Sequence, residues 1–478
     1  MTQTPAPALR SMLIDGRRVA ADGPPLDVLN PATEQLAGQA PDATDAQLDA
    51  AIEAAERAFT TWRETPVDER RAVLRGIAAV IGEHLEELAV LLTTEQGKPL
   101  AAARGELQSA VHWCEGFAEL DVPAEEIRAT DTQRVRIRHV PLGVVAGLVP
   151  WNVPVALAMW KIAPALLTGN TIVVKPSPFT PLTMLRIGEL LAQAHVVPAG
   201  VLNIISGGDH LGPKLSEHPR VRKVAFTGST ATGKRVMASA ARNLARVTLE
   251  LGGNDAAIVL PDVDVDVVAE KVFWAGFMNS GQVCVASKRI YVHDEIYDAF
   301  ARRFSELAGQ VKVGDGLDEG VSLGPLQNRV QYEKVVRLID KTAADGEKFL
   351  VRGDIPEGPG YFIHPTVVDD PADDADIVRL EPFGPVVPLL RFRDIDEVVE
   401  RANASEYGLG GSVWSGDTEA AERIAARIAT GVVWINDGPR LAPDLPFGGH
   451  KSSGLGVENG TAGLLEYLDT QVLWSSTS

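Results

Sequence analysis

Apolar positions recur every three or four residues through most of the first 120 positions. Leu48, Ile52, Ala55 and Phe59 form one stripe, which predicts a helix over 44–62 opened by a Thr44 or Asp45 cap. Helices are likewise predicted over 67–87, 88–97 and 101–120, and the last carries Trp113, Cys114 and Phe117. Ahead of them, residues 11–30 read as short strands with turns at Gly16 and Gly23. The period then changes. Val135, Ile137 and His139 alternate with Arg134, Arg136 and Arg138, the pattern of a strand with one basic, wet face. Such a ribbon needs a surface to lie on, so a projecting arm or a subunit contact is expected there.

Beyond Pro141 the strands become apolar throughout. Segments 142–149, 171–175, 202–205 and 223–226 alternate with helices starting near 155 and spanning 183–194 and 212–217. Strands apolar on both faces, separated by helices, predict a parallel nucleotide-binding sheet with ligand loops at the strands' carboxyl ends. A helix over 228–245 and a strand over 246–251 follow, ending in Gly252-Gly253. A second α/β alternation begins there, with strands at 256–259, 289–292, 362–368, 409–414 and 431–435. Its helices are placed at 267–277, 295–307, 327–345, 395–404 and 418–427. The tail, 466–474, alternates weakly and is expected to pair with the 133–139 ribbon. The fold class is α/β, with a domain boundary near Gly252.

At 478 residues and 45% hydrophobic content the chain is a folded protein of two or three domains. Its formal charge of −19 disfavours nucleic acid and anionic membranes as partners. Two cysteines, Cys114 and Cys284, make no disulfide scaffold, and residues 1–9 lack the basic and apolar regions of a secretory signal. Pro150, Asn152, Pro154 and Lys161 break the longest apolar run before it could span a bilayer. A cytoplasmic protein is expected. Asp262, Asp264 and Asp266 have no histidine nearby and read as a solvated helix entry, so no metal is expected.

Three stretches carry candidate chemistry. Cys284 follows Phe277-Met278-Asn279-Ser280-Gly281-Gln282-Val283; alone it could be a packing residue, as Cys114 is expected to be. Asn152 in Pro150-Trp151-Asn152 offers an oxyanion donor, and Glu250 in Leu249-Glu250-Leu251-Gly252-Gly253 offers a general base. A thiol can add to an aldehyde carbonyl without a neighbouring histidine. Asn152 and the Cys284 N–H could then hold the oxyanion. Hydride loss to an oxidised nicotinamide would leave a thioester, which water activated by Glu250 would release as the acid. Glu250 could instead be a surface carboxylate, although its apolar neighbours explain a bare charge poorly. Gly228-Ser229-Thr230-Ala231-Thr232-Gly233 could cradle a phosphate or form an ordinary turn; its spacing meets neither nucleotide fingerprint. Lys175 closes a buried-looking strand, where it could meet a ribose or phosphate or reach solvent.

Taken together, these stretches make the chain resemble the NAD(P)-dependent aldehyde dehydrogenase superfamily, of the hydrolytic, non-acylating type. The resemblance rests on Pro150-Trp151-Asn152, Lys175-Pro176, Phe226-Thr227-Gly228-Ser229, Leu249-Glu250-Leu251-Gly252-Gly253, Gly281-Gln282-Val283-Cys284, Glu381-Pro382-Phe383-Gly384-Pro385 and Pro446-Phe447-Gly448-Gly449, in the family's order. It implies Cys284 as nucleophile, Asn152 as oxyanion donor and Glu250 as base. It places Lys175 and Glu381 on ribose hydroxyls and Phe383 against nicotinamide. Val149, Pro150, Trp151, Ser177, Pro178, Gly208, Ser229, Thr232 and Leu251 would line the cofactor, with Gly228 and Gly233 leaving room beside it. Trp113, Phe117, Leu157, Trp160, Met278, Val283, Val285 and Leu441 would line an uncharged substrate channel.

The family's architecture implies a Rossmann-like cofactor domain at 1–120 and 141–252, a catalytic domain at 253–460, and an oligomerisation arm at 121–140 and 461–478. The expected cofactor is NAD+. Pro178 stands where many NAD-preferring members carry Glu, which leaves NADP+ open. Asn254 and Val457 also depart from common family residues. The expected partners are a small-molecule aldehyde and further copies of the chain, as a homodimer or homotetramer. The expected activity is oxidation of an apolar aliphatic or aromatic aldehyde. Alternatives are a semialdehyde substrate, which Arg440 could serve, acyl transfer to coenzyme A, and a silent binding protein.

Overall fold

The computed structural model describes residues 8–123 and 125–476. Parts of the polar N-terminal run and of the expected arm, at 1–7, 124 and 477–478, lie outside the described residues. An eight-stranded sheet has the order Arg17–Val19, Met12–Ile14, Leu202–Ile204, Thr171–Lys175, Val144–Leu148, Val221–Thr227, Arg246–Glu250, Gly454–Leu455. Its five central strands run parallel. Helices cover both faces, which is why these strands are apolar throughout. Strand order reverses between Val144–Leu148 and Val221–Thr227, and such a switch point opens a crevice at the carboxyl ends. Register brings Leu148 beside Lys175 and Phe226, and Thr227 beside Glu250, along that edge.

A seven-stranded sheet has the order Lys348–Val351, Thr366–Asp369, Val386–Phe392, Ser287–His293, Asp255–Val259, Gly410–Trp414, Val432–Ile435, and only its first strand is antiparallel. Two separate apolar clusters fill its two faces, and a third packs the eight-stranded sheet against the N-terminal helices. The architecture is α/β with a Rossmann-like cofactor sheet. A small sheet pairs Leu468–Ser476 with Gln133–Pro141 over nine positions and adds Glu126–Ala129, so the tail joins the ribbon as expected. The arm strand begins only at Leu468, because the helix Gly460–Leu465 and Tyr467 pack into the main core.

The structure differs from these expectations at several element ends, the strand expected over 362–368 spanning only Thr366–Asp369, and at one further strand. The break expected at 87/88 falls at His84, between helices Val67–Glu83 and Leu85–Gln96, and the shift turns Leu88 and Leu92 inward. The helix expected over 228–245 spans Thr230–Ala240; Ser229 caps its start, and Leu244, at φ +54°, cannot continue it. Val386–Phe392 was not anticipated as a strand because Pro388 interrupts its apolar run, yet Pro388 pairs opposite Val368 inside the sheet.

Candidate active site

The nucleophile candidate sits on a distorted turn between the helix Val265–Phe277 and the strand Ser287–His293. Asn279, Ser280 and Gly281 take φ values of +51°, +57° and +73° in succession. A Cβ on Gly281 would lie 2.1 Å from the Gly384 carbonyl oxygen, so only glycine lets the turn press against that loop. The Gln282 side chain fixes the turn from within: its Nε2 donates to the Asn279 carbonyl at 2.9 Å and its Oε1 accepts from the Gln327 N–H at 2.9 Å. Cys284 emerges half-buried, whereas Cys114 is fully buried in the core. Burial pushes the Cys284 thiol up to about 12, with Lys288 opposing and Asp255, Glu250 and Glu381 adding to the rise.

Asn152 reaches the same turn from the switch-point loop. Its Nδ2 donates to the Gln282 carbonyl at 2.9 Å, and its own carbonyl accepts from Lys98 Nζ at 3.0 Å and Asn279 Nδ2 at 3.1 Å. Lys98 in turn pairs with buried Glu106, whose Oε1 accepts from the Val155 N–H at 2.7 Å at the start of the helix Pro154–Leu167. The loop that presents Asn152 is therefore pinned from both sides.

Glu250 ends its strand 3% exposed, and neither carboxyl oxygen has a hydrogen-bond partner among the described residues. Burial first, then the nearby Glu458 carboxylate, raises its pKa well above the usual range, while Lys161 pulls it down. Lys161 is fully buried and donates to Glu458 Oε1 and Thr227 Oγ1, both at 2.8 Å. The Gly252-Gly253 pair after Glu250 has a steric cause. A Cβ on Gly252 would meet Glu381 Oε2 at 2.3 Å, and one on Gly253 would meet the Cys284 carbonyl oxygen at 2.7 Å.

Two neighbouring cavities meet at this edge. One, of about 160 Å³, holds Cys284 and Asn152 together with Trp151, Leu251, Glu381 and Phe383. The other, of about 440 Å³, is walled by Val149, Lys175, Ser177, Pro178, Thr232 and Arg235, and the two share Pro150, Trp151, Thr227, Gly228 and Ser229. Lys175 is 7% exposed, and among the described residues its only hydrogen bond is to the Pro176 carbonyl at 3.4 Å. Burial lowers it to about 8 against the pull of Asp209 and Asp42. A buried ammonium so poorly partnered suits a ligand rich in hydroxyl and phosphate oxygens.

Not every expected residue faces these cavities. Gly208 donates its N–H to Asp42 Oδ1 at 3.0 Å, and its neighbour Asp209 faces the crevice instead. Gly233 lies beneath Leu251, where a Cβ would approach within 2.5 Å, so its small size serves helix-to-strand packing. Trp113 stacks on Trp160 at 5.2 Å and donates to Asn459 Oδ1 at 3.0 Å. Phe117 and Val285 are core residues, while Leu157, Met278, Val283 and Leu441 keep part of their surface open. Arg440 is exposed and pairs with Asp437 at 2.7 Å. Asn254 is buried and donates to the Val378 carbonyl at 2.8 Å. Lys98, Glu106, Lys161, Lys288 and Glu458 went unassigned in the sequence; a charged residue inside an apolar run, as Lys161 is in 154–167, was the signal available.

A sequence profile of the aldehyde dehydrogenase family matches residues 19–473. A probable aldehyde dehydrogenase of a Pseudomonas species is 43% identical over 97% of this chain and 94% of its own length. Phenylacetaldehyde dehydrogenase of Pseudomonas fluorescens is 40% identical over 97% and 95%. The NAD+ complex of a Bacillus cereus aldehyde dehydrogenase superposes with a TM-score of 0.95 at 36% identity, covering 98% of this chain and 97% of that one. The fold and crevice define a nicotinamide-dependent oxidoreductase. The chain belongs to the aldehyde dehydrogenase family and catalyses NAD(P)+-dependent aldehyde oxidation through a cysteine. Among the described residues no helix is long and apolar enough to cross a membrane.

Proposed function

We propose that the protein oxidises an apolar aliphatic or aromatic aldehyde to its carboxylic acid through a thioester on Cys284. The observation that carries this reading is one small cavity shared by the Cys284 thiol, Asn152, Glu381 and Phe383, with the unpartnered Glu250 carboxyl on the adjoining strand end. Sulfur adds to the carbonyl carbon as the thiol gives its proton to water. Asn152 Nδ2 and the Cys284 N–H hold the resulting oxyanion. Bound NAD(P)+ supplies the hydride acceptor, and the crevice residues Lys175 and Glu381 would hold its ribose hydroxyls. Glu250 then takes a proton from water, which attacks the thioester; the C–S bond breaks, freeing the acid, and Glu250 returns the proton to the leaving sulfur to restore the thiol. A carboxyl raised by burial is the better base near neutral pH.

Leu157, Met278, Val283 and Leu441 are apolar and keep part of their surface open, which supports an uncharged substrate, and the phenylacetaldehyde-oxidising relative agrees with it. Arg440 is taken up by Asp437, which speaks against a carboxylate-bearing aldehyde. The cofactor unit comprises 1–120 and 141–252, the catalytic unit most of 253–460, and the arm, 121–140 with the tail from Leu468, joins copies into a homodimer or homotetramer. The test is a panel of aldehydes with NAD+ and NADP+. Reduced cofactor is expected with the wild-type protein and none with Cys284→Ser; equal turnover by both would refute the assignment.

A further inference from the structure

Lys288, the second residue of the strand Ser287–His293, has its side chain 2% exposed. Its Nζ donates to the Cys284 carbonyl at 2.6 Å, the Gly253 carbonyl at 2.8 Å and Glu381 Oε1 at 2.9 Å. It also stands 5.7 Å from the centre of the Phe383 ring. An ammonium has three donors, and all three are spent on the backbone of the nucleophile, the backbone behind the base strand, and one oxygen of the ribose-binding candidate. Glu381 Oε1 accepts a second bond, from the Gly253 N–H at 3.1 Å. No protein donor among the described residues takes Oε2, so the carboxylate is anchored by one oxygen and offers the other to the cavity.

We propose that Lys288 is a positioning residue that sets both the reactivity of the Cys284 thiol and the grip of Glu381 on the cofactor, by binding the two with a single buried cation. This rests on Cys284 and Glu381 having the roles given above. The thiol faces Lys288 as its favourable charge and Asp255, Glu250 and Glu381 as unfavourable ones, while Lys334 lines the same cavity. Removing the one cation bonded at the Cys284 carbonyl leaves three carboxyl groups to oppose thiolate formation. It also frees Glu381 to rotate away from the dinucleotide.

The test compares wild type with Lys288→Gln and Lys288→Arg, first by the pH profile of thiol alkylation with iodoacetamide in the absence of cofactor. For Lys288→Gln the profile is expected to move up by about one pH unit or more, slowing alkylation roughly tenfold at neutral pH. In steady state the NAD+ KM is expected to rise about tenfold. Lys288→Arg should keep the alkylation profile, because the charge remains, and still raise the NAD+ KM, because a planar fork cannot reproduce the three-oxygen grip. Should Lys288→Gln fail to fold, the Arg variant decides by the same two readings. Wild-type values of both quantities in either variant would overturn the proposal. Turnover by Cys284→Ser would instead overturn the reading beneath it, so the two failures are distinct.

Discussion

Glu250 and Cys284 both sit where the surrounding protein disfavours charge, although the proposed mechanism needs each to ionise in turn. Burial raises the thiol to about 12 and the Glu250 carboxyl well above its usual range, so the pocket opposes the charged form that each needs. Replacing Glu250 by Gln removes the proposed base for hydrolysis but leaves sulfur, Asn152 and cofactor crevice intact. We expect a burst of about one reduced cofactor per site followed by steady turnover about 10²–10⁴-fold slower, measured by stopped-flow absorbance. These three residues were legible because each sits in a short stretch whose composition ordinary packing explains poorly. Lys161, Lys288 and Glu458 were not, since a charged residue shows no partner in the sequence until folding brings one from positions as distant as 297 residues.

The same physics acts at the scale of elements. The turn before Cys284 works because three consecutive residues accept positive φ, and Gly281 alone has no side chain to collide with Gly384. Gly281→Ala should cost about 2–4 kcal/mol in urea unfolding and lower aldehyde turnover in parallel. Another buried carboxyl lies at the start of the helix Leu182–Ala194, where Glu95 accepts the N–H groups of Leu182 and Thr183 at 2.7 and 2.9 Å. Burial nonetheless raises it from 4.5 to about 7. Folded protein therefore holds that proton where unfolded chain has lost it. Its contribution to stability is complete below pH 4.5 and is lost as pH rises to about 7. The loss is on the order of 3 kcal/mol, and Glu95→Gln should flatten the stability curve across that window. Equal pH slopes in chemical denaturation would contradict it. Element type followed from periodicity nearly throughout, whereas the ends at His84 and Ala240 depended on tertiary packing and the strand Val386–Phe392 was hidden by Pro388.

Across the whole molecule, the two large sheets place their loops against one another so that strand ends of one carry Asn152 and Glu250 while the other carries Cys284. None of the arm's described residues lines that cavity. Its outer strand Leu468–Ser476 forms one edge of its sheet and exposes Val472 and Trp474, 54% and 67% accessible, as a monomer's edge strand seldom does. Exchanging both for Glu should shift the protein to a smaller species in sedimentation velocity, and an unchanged distribution would count against the arm as a subunit contact. The parallel sheets and the ribbon-to-tail pairing were readable from strand composition; the use of an exposed edge for assembly was only an expectation from its isolation.

The covalent step is reached most directly by rapid chemical quench of the Glu250→Gln protein with aldehyde and cofactor, followed by peptide mass spectrometry. The expected result is an acyl adduct on Cys284 that grows with the first equivalent of reduced cofactor. Reduced cofactor and free acid accumulating while Cys284 remains unmodified would contradict the account.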